Sequence, residues 1–109
     1  MRLPNPNRAF VADEKLAGYC LNPSHPRGRH KARVFAAVGV TEASAPVLKA
    51  ALLEAAHADA SLEETIPHGT LYAIEFDFVT PRTEVRVRSI WMVRKNEDFP
   101  RLVSCTFRK

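Results

Sequence analysis

The sequence predicts an α+β fold, with two or three N-terminal helices packed on a three- to four-stranded antiparallel sheet in meander order. Three observations carry that expectation. The front half spaces its apolar residues three or four apart between proline- and glycine-marked turns, whereas from Leu71 onward the spacing switches to two. The chain has 109 residues, 46% hydrophobic and 26% charged, which is core enough for one ordinary domain and too little for two. The expected divisions are an extended arm over residues 1–12, a helical half over 13–58 and an antiparallel β half over 70–107.

The arm is rich in Pro and Asn, is expected to be ordered without a helix, and is pinned by Leu3, Phe10 and Val11. Asp13 is placed to cap a short helix running to about residue 21, with Leu16, Tyr19 and Cys20 as its apolar side. Asn22-Pro23 stops it, because the residue before a proline is pushed out of the α region. A turn-rich connection follows, then a helix over 31–38 ended by Gly39. Thr41 or Ser44 can cap a third helix to about residue 58, with Pro46 tolerated in its first turn. Val47, Leu48, Ala51, Leu52 and Ala55 form its apolar stripe. Residues 59–69, with Glu63, Glu64, Pro67 and Gly69, read as a polar connection.

In the β half, Tyr72, Ile74, Phe76 and Phe78 point one way, and Ala73, Glu75 and Asp77 the other. Thr80-Pro81-Arg82-Thr83 is the turn to a strand over 84–93. There Val85, Val87, Trp91 and Val93 share the apolar side, and Arg86 and Arg88 lie opposite. A turn centred on Pro81 and Arg82 pairs Phe78 with Val85, Phe76 with Val87 and Tyr72 with Trp91, and sets Asp77 against Arg86 and Glu75 against Arg88. A last strand over 102–107 puts Ser104 and Thr106 on the arginine side and Val103, Cys105 and Phe107 on the core side.

Charge and motif content narrow the function classes. Sixteen Lys and Arg against twelve Asp and Glu give a net charge of +4 and favour an acidic or phosphate-rich partner. Cys20 and Cys105 stand apart from any C-x-x-C pair, so neither a metal nor a redox motif is present. The expectation is therefore no metal and no cofactor. The first residues lack the apolar core of a signal peptide, and no apolar run approaches the ~20 residues that cross a bilayer, so a cytoplasmic protein without a membrane partner is expected. The chain has no glycine-rich phosphate loop, H-E-x-x-H helix, G-x-S-x-G elbow or paired-carboxylate spacing. Nucleotide hydrolysis, metalloproteolysis and esterase chemistry drop out with them.

Two clusters carry the candidate chemistry. His25, Arg27, Arg29, His30, Lys31 and Arg33 crowd the start of the second helix, where backbone N–H groups already favour an anion. Lys31 falls in line with Val34, Phe35 and Val38. There it either acts partly desolvated as an acid, base or phosphate ligand, or snorkels from the first turn to water. His25 and His30 are of the type that exchanges protons near neutral pH, and equally of the type that caps loops. Arg86 and Arg88 can bind adjacent phosphates from a sheet face, or pair with Asp77 and Glu75. Trp91 reads as core, and His57 and His68 as peripheral.

The stretch KLAGYCLNPSHPRGRHKARVF over residues 15–35, with VRVRSIW at 85–91 and FPRLVS at 99–104, resembles a bacterial domain family of unassigned function. That family occurs as free-standing small proteins and at the C-terminal ends of polymorphic toxins. The resemblance implies toxin-like activity and a small antitoxin or immunity protein as partner. Helices followed by an antiparallel sheet are also distantly similar to the RelE and barnase-like ribonucleases. That similarity implies a metal-independent endoribonuclease acting on RNA by 2′-hydroxyl transesterification. Its catalytic set would be His25, His30, Lys31, Arg86, Arg88 and Thr106, with Lys15, Arg27, Arg29 and Ser104 binding substrate. The alternative is a non-catalytic binding or regulatory module whose basic loop docks a protein partner or a nucleic acid.

Overall fold

Four antiparallel strands in the order β1-β2-β3-β4 form the backbone of the structure, a computed structural model that describes residues 1–16, 18, 21, 24, 26–27 and 29–108. The strands are β1 (Ser61–Ile66), β2 (Gly69–Val79), β3 (Glu84–Arg94) and β4 (Pro100–Arg108). The helices α1 (Asp13–Lys15), α2 (Arg29–Ala37) and α3 (Ala45–Ala55) precede them in the chain. The α+β expectation therefore holds, and the sheet takes the larger of the two strand counts.

The central hairpin has the expected register: Phe78 pairs with Val85, Phe76 with Val87, Tyr72 with Trp91, Asp77 with Arg86 and Glu75 with Arg88. The Pro-Arg turn, an unfavourable two-residue hairpin, works because it is the middle of a four-residue loop tied by Thr80. The Thr80 hydroxyl oxygen accepts from the Arg82 and Thr83 N–H groups at 3.2 and 2.9 Å, and the hydroxyl donates to the Thr83 carbonyl at 2.6 Å. On the core face Trp91 is fully buried. Its indole N–H donates to Ser89 Oγ at 2.9 Å, and that hydroxyl donates to the Ile74 carbonyl at 2.8 Å, so both buried polar groups are satisfied.

Three expectations are corrected in the sheet and the arm. Residues 61–66, read as part of a polar connection, form β1, paired with β2 and reversing through Pro67 and His68. Nearly every β1 side chain is exposed and a bulge interrupts it between Leu62 and Glu64, so it leaves no alternating apolar signal. In β4 the register shifts between Ile90 and Trp91, which face Ser104 and Leu102. Leu102 therefore takes the core position expected of Val103. Gly69 starts β2 because an added Cβ would collide with the Val93 carbonyl oxygen. In the arm, Leu3 and Val11 are buried but Phe10 is 47% exposed, and Pro6–Arg8 forms one 3-10 turn.

The helices lie as the periodicity indicates, with shifted ends. Asp13 is the first residue of α1 rather than its cap and pairs with Lys49 at 2.9 Å. Beyond it the Leu21 N–H donates to the Leu16 carbonyl at 2.7 Å, a wider turn than an α-helix makes. Tyr19, Cys20, Asn22 and Pro23, expected on the apolar side and at the stop of this helix, lie outside the described residues. In α2 the buried positions are Ala32, Phe35 and the following Val38, with Lys31 half-buried and Val34 exposed at the rim. Phe35 sets that rotation by packing on Phe107, ring centroids 4.9 Å apart. Gly39, at φ 88°, ends the helix: Val40 N–H returns to the Phe35 carbonyl at 2.9 Å and Gly39 N–H to the Ala36 carbonyl at 3.0 Å. In α3, Leu48, Leu52 and Ala55 are buried, whereas Val47, expected in the stripe, is 62% exposed. The helix stops before residue 58 because the Ala60 N–H is taken by the Met1 carbonyl at 2.5 Å, which draws the chain into an extended path. Among the described residues, no single helix is long and apolar enough to cross a membrane.

Candidate functional site

Where α1, the connection after it, and α2 meet the outer strand β4, the surface opens into a cleft of about 580 Å³. It is lined by Glu14, Lys15, Gly18, Arg27, Lys31, Val103 and Ser104. Two consecutive β4 residues line this wall, although neighbours in a regular strand point to opposite faces. The break in register beside Val103 permits it. The cations come from three separate segments: Lys15 ends α1, Arg27 lies in the connection, and Lys31 sits half-buried in the first turn of α2.

Lys31 also lines a second cleft, of about 180 Å³, with His30, Val34, Phe35, Thr106 and Phe107. A third cleft, of about 330 Å³, shares Glu14, Lys15 and Val103 with the first. It reaches Phe10, Met92, Arg94 and Arg101. Six of the ten residues expected to carry function therefore gather here: Lys15, Arg27, His30, Lys31, Ser104 and Thr106. Among the described lining residues, three cations against the one carboxylate of Glu14 make the first cleft attractive to an anion, and the Ser104 hydroxyl adds a hydrogen-bond donor. His25 lies outside the described residues. Arg29 opens α2, and its side chain is likewise outside the description.

Arg86 and Arg88 line neither the first cleft nor the second. Arg86 Nη1 is 3.0 Å from Asp77 Oδ1, and its Nε is 3.8 Å from Glu75 Oε1. Arg88 is paired with Glu63 of β1 and lies 3.7 Å from Glu75. The backbone nevertheless sets Arg88 directly beside Thr106, a wall residue of the second cleft. Arg88 thus starts at the cleft rim, but its guanidinium is turned across the sheet toward β1.

Two residues that matter here escaped the sequence reading. Glu14 is the only acidic residue among the described ones that line the first cleft, and its signal was slight: a carboxylate beside Lys15 and four positions before a glycine. Glu63 holds Arg88, which could be seen only once residues 61–66 were known to be a strand. Beside the third cleft, Arg101 donates to both carboxylate oxygens of Glu97, at 2.7 Å each. That hydrogen bonding holds the Glu97 carboxyl below the usual range and raises the Arg101 guanidinium above its own.

The model of a domain of unknown function, DUF6883, matches residues 2–109. No curated protein and no solved structure matches the chain.

Proposed function

We propose that this chain, which belongs to the DUF6883 family, holds the phosphodiester backbone of RNA in the cleft between α1, α2 and β4 and cleaves it without a metal. The observation that carries the reading is the convergence of Lys15, Arg27 and Lys31 on one cleft from three separate segments. A solvated charge run on one helix face would not require such a gathering. A phosphate crossing the cleft meets cations from several sides, and Ser104 and Thr106 supply hydroxyl donors.

The groups beside that phosphate are of the types the reaction needs. The 2′-hydroxyl attacks the adjacent phosphorus, the bond from phosphorus to the 5′-oxygen breaks, and a 2′,3′-cyclic phosphate and a free 5′-hydroxyl result. In this scheme Glu14 takes the 2′-hydroxyl proton and His30 returns one to the leaving oxygen, with Lys31 bordering both of their clefts. Lys15, Arg27 and Lys31 offset the charge that builds on the phosphorane. Arg86 and Arg88, held by Asp77, Glu75 and Glu63, stay structural in this scheme.

An endoribonuclease acting in the bacterial cytoplasm is toxic to the cell that makes it. The same reading therefore includes a small acidic antitoxin or immunity protein that covers the cleft. The engagement of both strand arginines by carboxylates favours a second reading, a binding module that contacts RNA or an acidic protein without cutting. Total bacterial RNA incubated with the protein in EDTA separates the two. New cyclic-phosphate ends that disappear with folded Lys31→Ala support the nuclease. Intact RNA bound with strong salt dependence supports an RNA-binding module, and intact, unbound RNA removes the nuclease and leaves only a module that docks an acidic protein.

A further inference from the structure

Phe10 is the anomaly of the N-terminal arm. Its neighbour Val11 is buried, as is Leu3, yet Phe10 is 47% exposed and lines the third cleft. It is not a loose side chain on a loose segment. The Phe10 N–H donates to the Pro100 carbonyl and the Phe10 carbonyl accepts from Leu102 N–H, both at 2.9 Å, so the arm is bridged to β4 at this residue. The Arg101 guanidinium lies 5.2 Å from the ring centroid and is itself fixed by the two hydrogen bonds to Glu97. Arg101 also lies 5.0 Å from the Phe99 ring, and Arg8 lies 5.3 Å from that ring on the other part of the arm. A half-exposed aromatic is thus held rigid before any ligand arrives, which removes much of the ordering cost of contact.

We infer that the Phe10 ring is a stacking platform for an unpaired nucleobase of the RNA whose phosphates occupy the Lys15–Arg27–Lys31 cleft, an inference that rests on the RNA-binding reading above. The third cleft joins the first through Glu14, Lys15 and Val103, so a strand has a continuous path from the phosphate site to the ring. Along that path Arg94 and Lys15 accompany the backbone, and Met92 offers a soft apolar surface beside the base. The ring favours a base over an aliphatic peptide side chain because every base presents a π-face and because the cleft that the ring borders shares Lys15 with the cationic one. A base inside a duplex cannot reach it, so the ligand is single-stranded.

The test uses the full chain and a short single-stranded 2′-O-methyl oligoribonucleotide containing 2-aminopurine, which has no 2′-hydroxyl to react. Anisotropy gives the affinity, and quenching of the aminopurine reports stacking. Phe10→Ala is expected to weaken binding by about tenfold and to abolish the quench, and Phe10→Trp to restore both. The salt dependence should be unchanged in Phe10→Ala but shallower in Lys15→Ala. Thermal unfolding of Phe10→Ala should match the wild type, because the arm is held there by backbone hydrogen bonds. Equal affinity and quenching in wild type and Phe10→Ala would overturn the platform and leave the phosphate cleft standing. Full affinity in Phe10→Leu would also overturn it, since bulk without a π-face would then suffice. A wild-type protein that does not bind the oligonucleotide would remove the cleft reading and the platform together.

Discussion

The two basic clusters of this molecule look alike as sequence and are opposites as structure. Arg86 and Arg88 sit on a strand whose partner presents Asp77 and Glu75 at the facing positions, and the second arginine is further held by Glu63 from β1. Lys15, Arg27 and Lys31 come from α1, the connection and α2, and meet where these converge on β4. Regular pairing sets each strand arginine opposite a carboxylate in register, whereas the cleft gathers three cations from separate segments beside Glu14. A cleft whose described lining holds more cations than carboxylates favours an anionic ligand.

The contrast is sharpest in the catalytic measurement. Lys31→Ala is expected to lower the rate of RNA cleavage in EDTA by roughly a hundredfold or more, the loss typical of a group that stabilises transition-state charge. Its folded state should survive, because a first-turn lysine contributes little packing. Binding discriminates next. Removing Lys15 or Arg27 should each reduce the slope of log affinity against log salt for single-stranded RNA by about 0.7, while Arg86→Ala leaves the slope unchanged.

Stability gives a smaller effect with the opposite assignment. Arg88→Ala should destabilise the fold by up to about 1 kcal/mol in urea denaturation, the range of a partly exposed ion pair, with no comparable loss of cleavage. A double-mutant cycle with Glu63→Gln would show coupling if the two residues act together.

The smallest effect lies at Glu97. Its carboxyl is held below the usual range by the Arg101 hydrogen bonds, so its contribution to stability is complete above the unfolded-state value. That contribution disappears as pH falls through the lowered folded-state value. Glu97→Gln should therefore lower the thermal midpoint slightly near neutrality, and the difference from wild type should close in acid. A gap that persists unchanged at low pH would contradict the pairing.

What could be read from the sequence follows the same division. The faces of the β2–β3 hairpin were legible from alternation, and its register followed from a turn centred on Pro81 and Arg82, although a slip by two would have kept the same faces. The strand β1 was not, since it contributes backbone hydrogen bonds and almost no buried side chains, and periodicity records only burial. Lys31 was legible as an unusual lysine because its place on the α2 wheel is local. Its union with Lys15, Arg27 and Ser104 was not, because the cleft depends on how far apart pieces of chain pack and on a register break at Val103. Glu14 went unnoticed for the same reason. Phe10 was legible as a fixed point of the arm, but its backbone does the fixing, and the ring is left half in solvent.

The most direct test of the division between the clusters is the cleavage rate of one RNA in EDTA by Lys31→Ala and Arg88→Ala, each verified as folded. The expected result is cleavage nearly lost in the first and close to wild type in the second. Loss in Arg88→Ala with full activity in Lys31→Ala would place the chemistry on the sheet face and contradict the cleft.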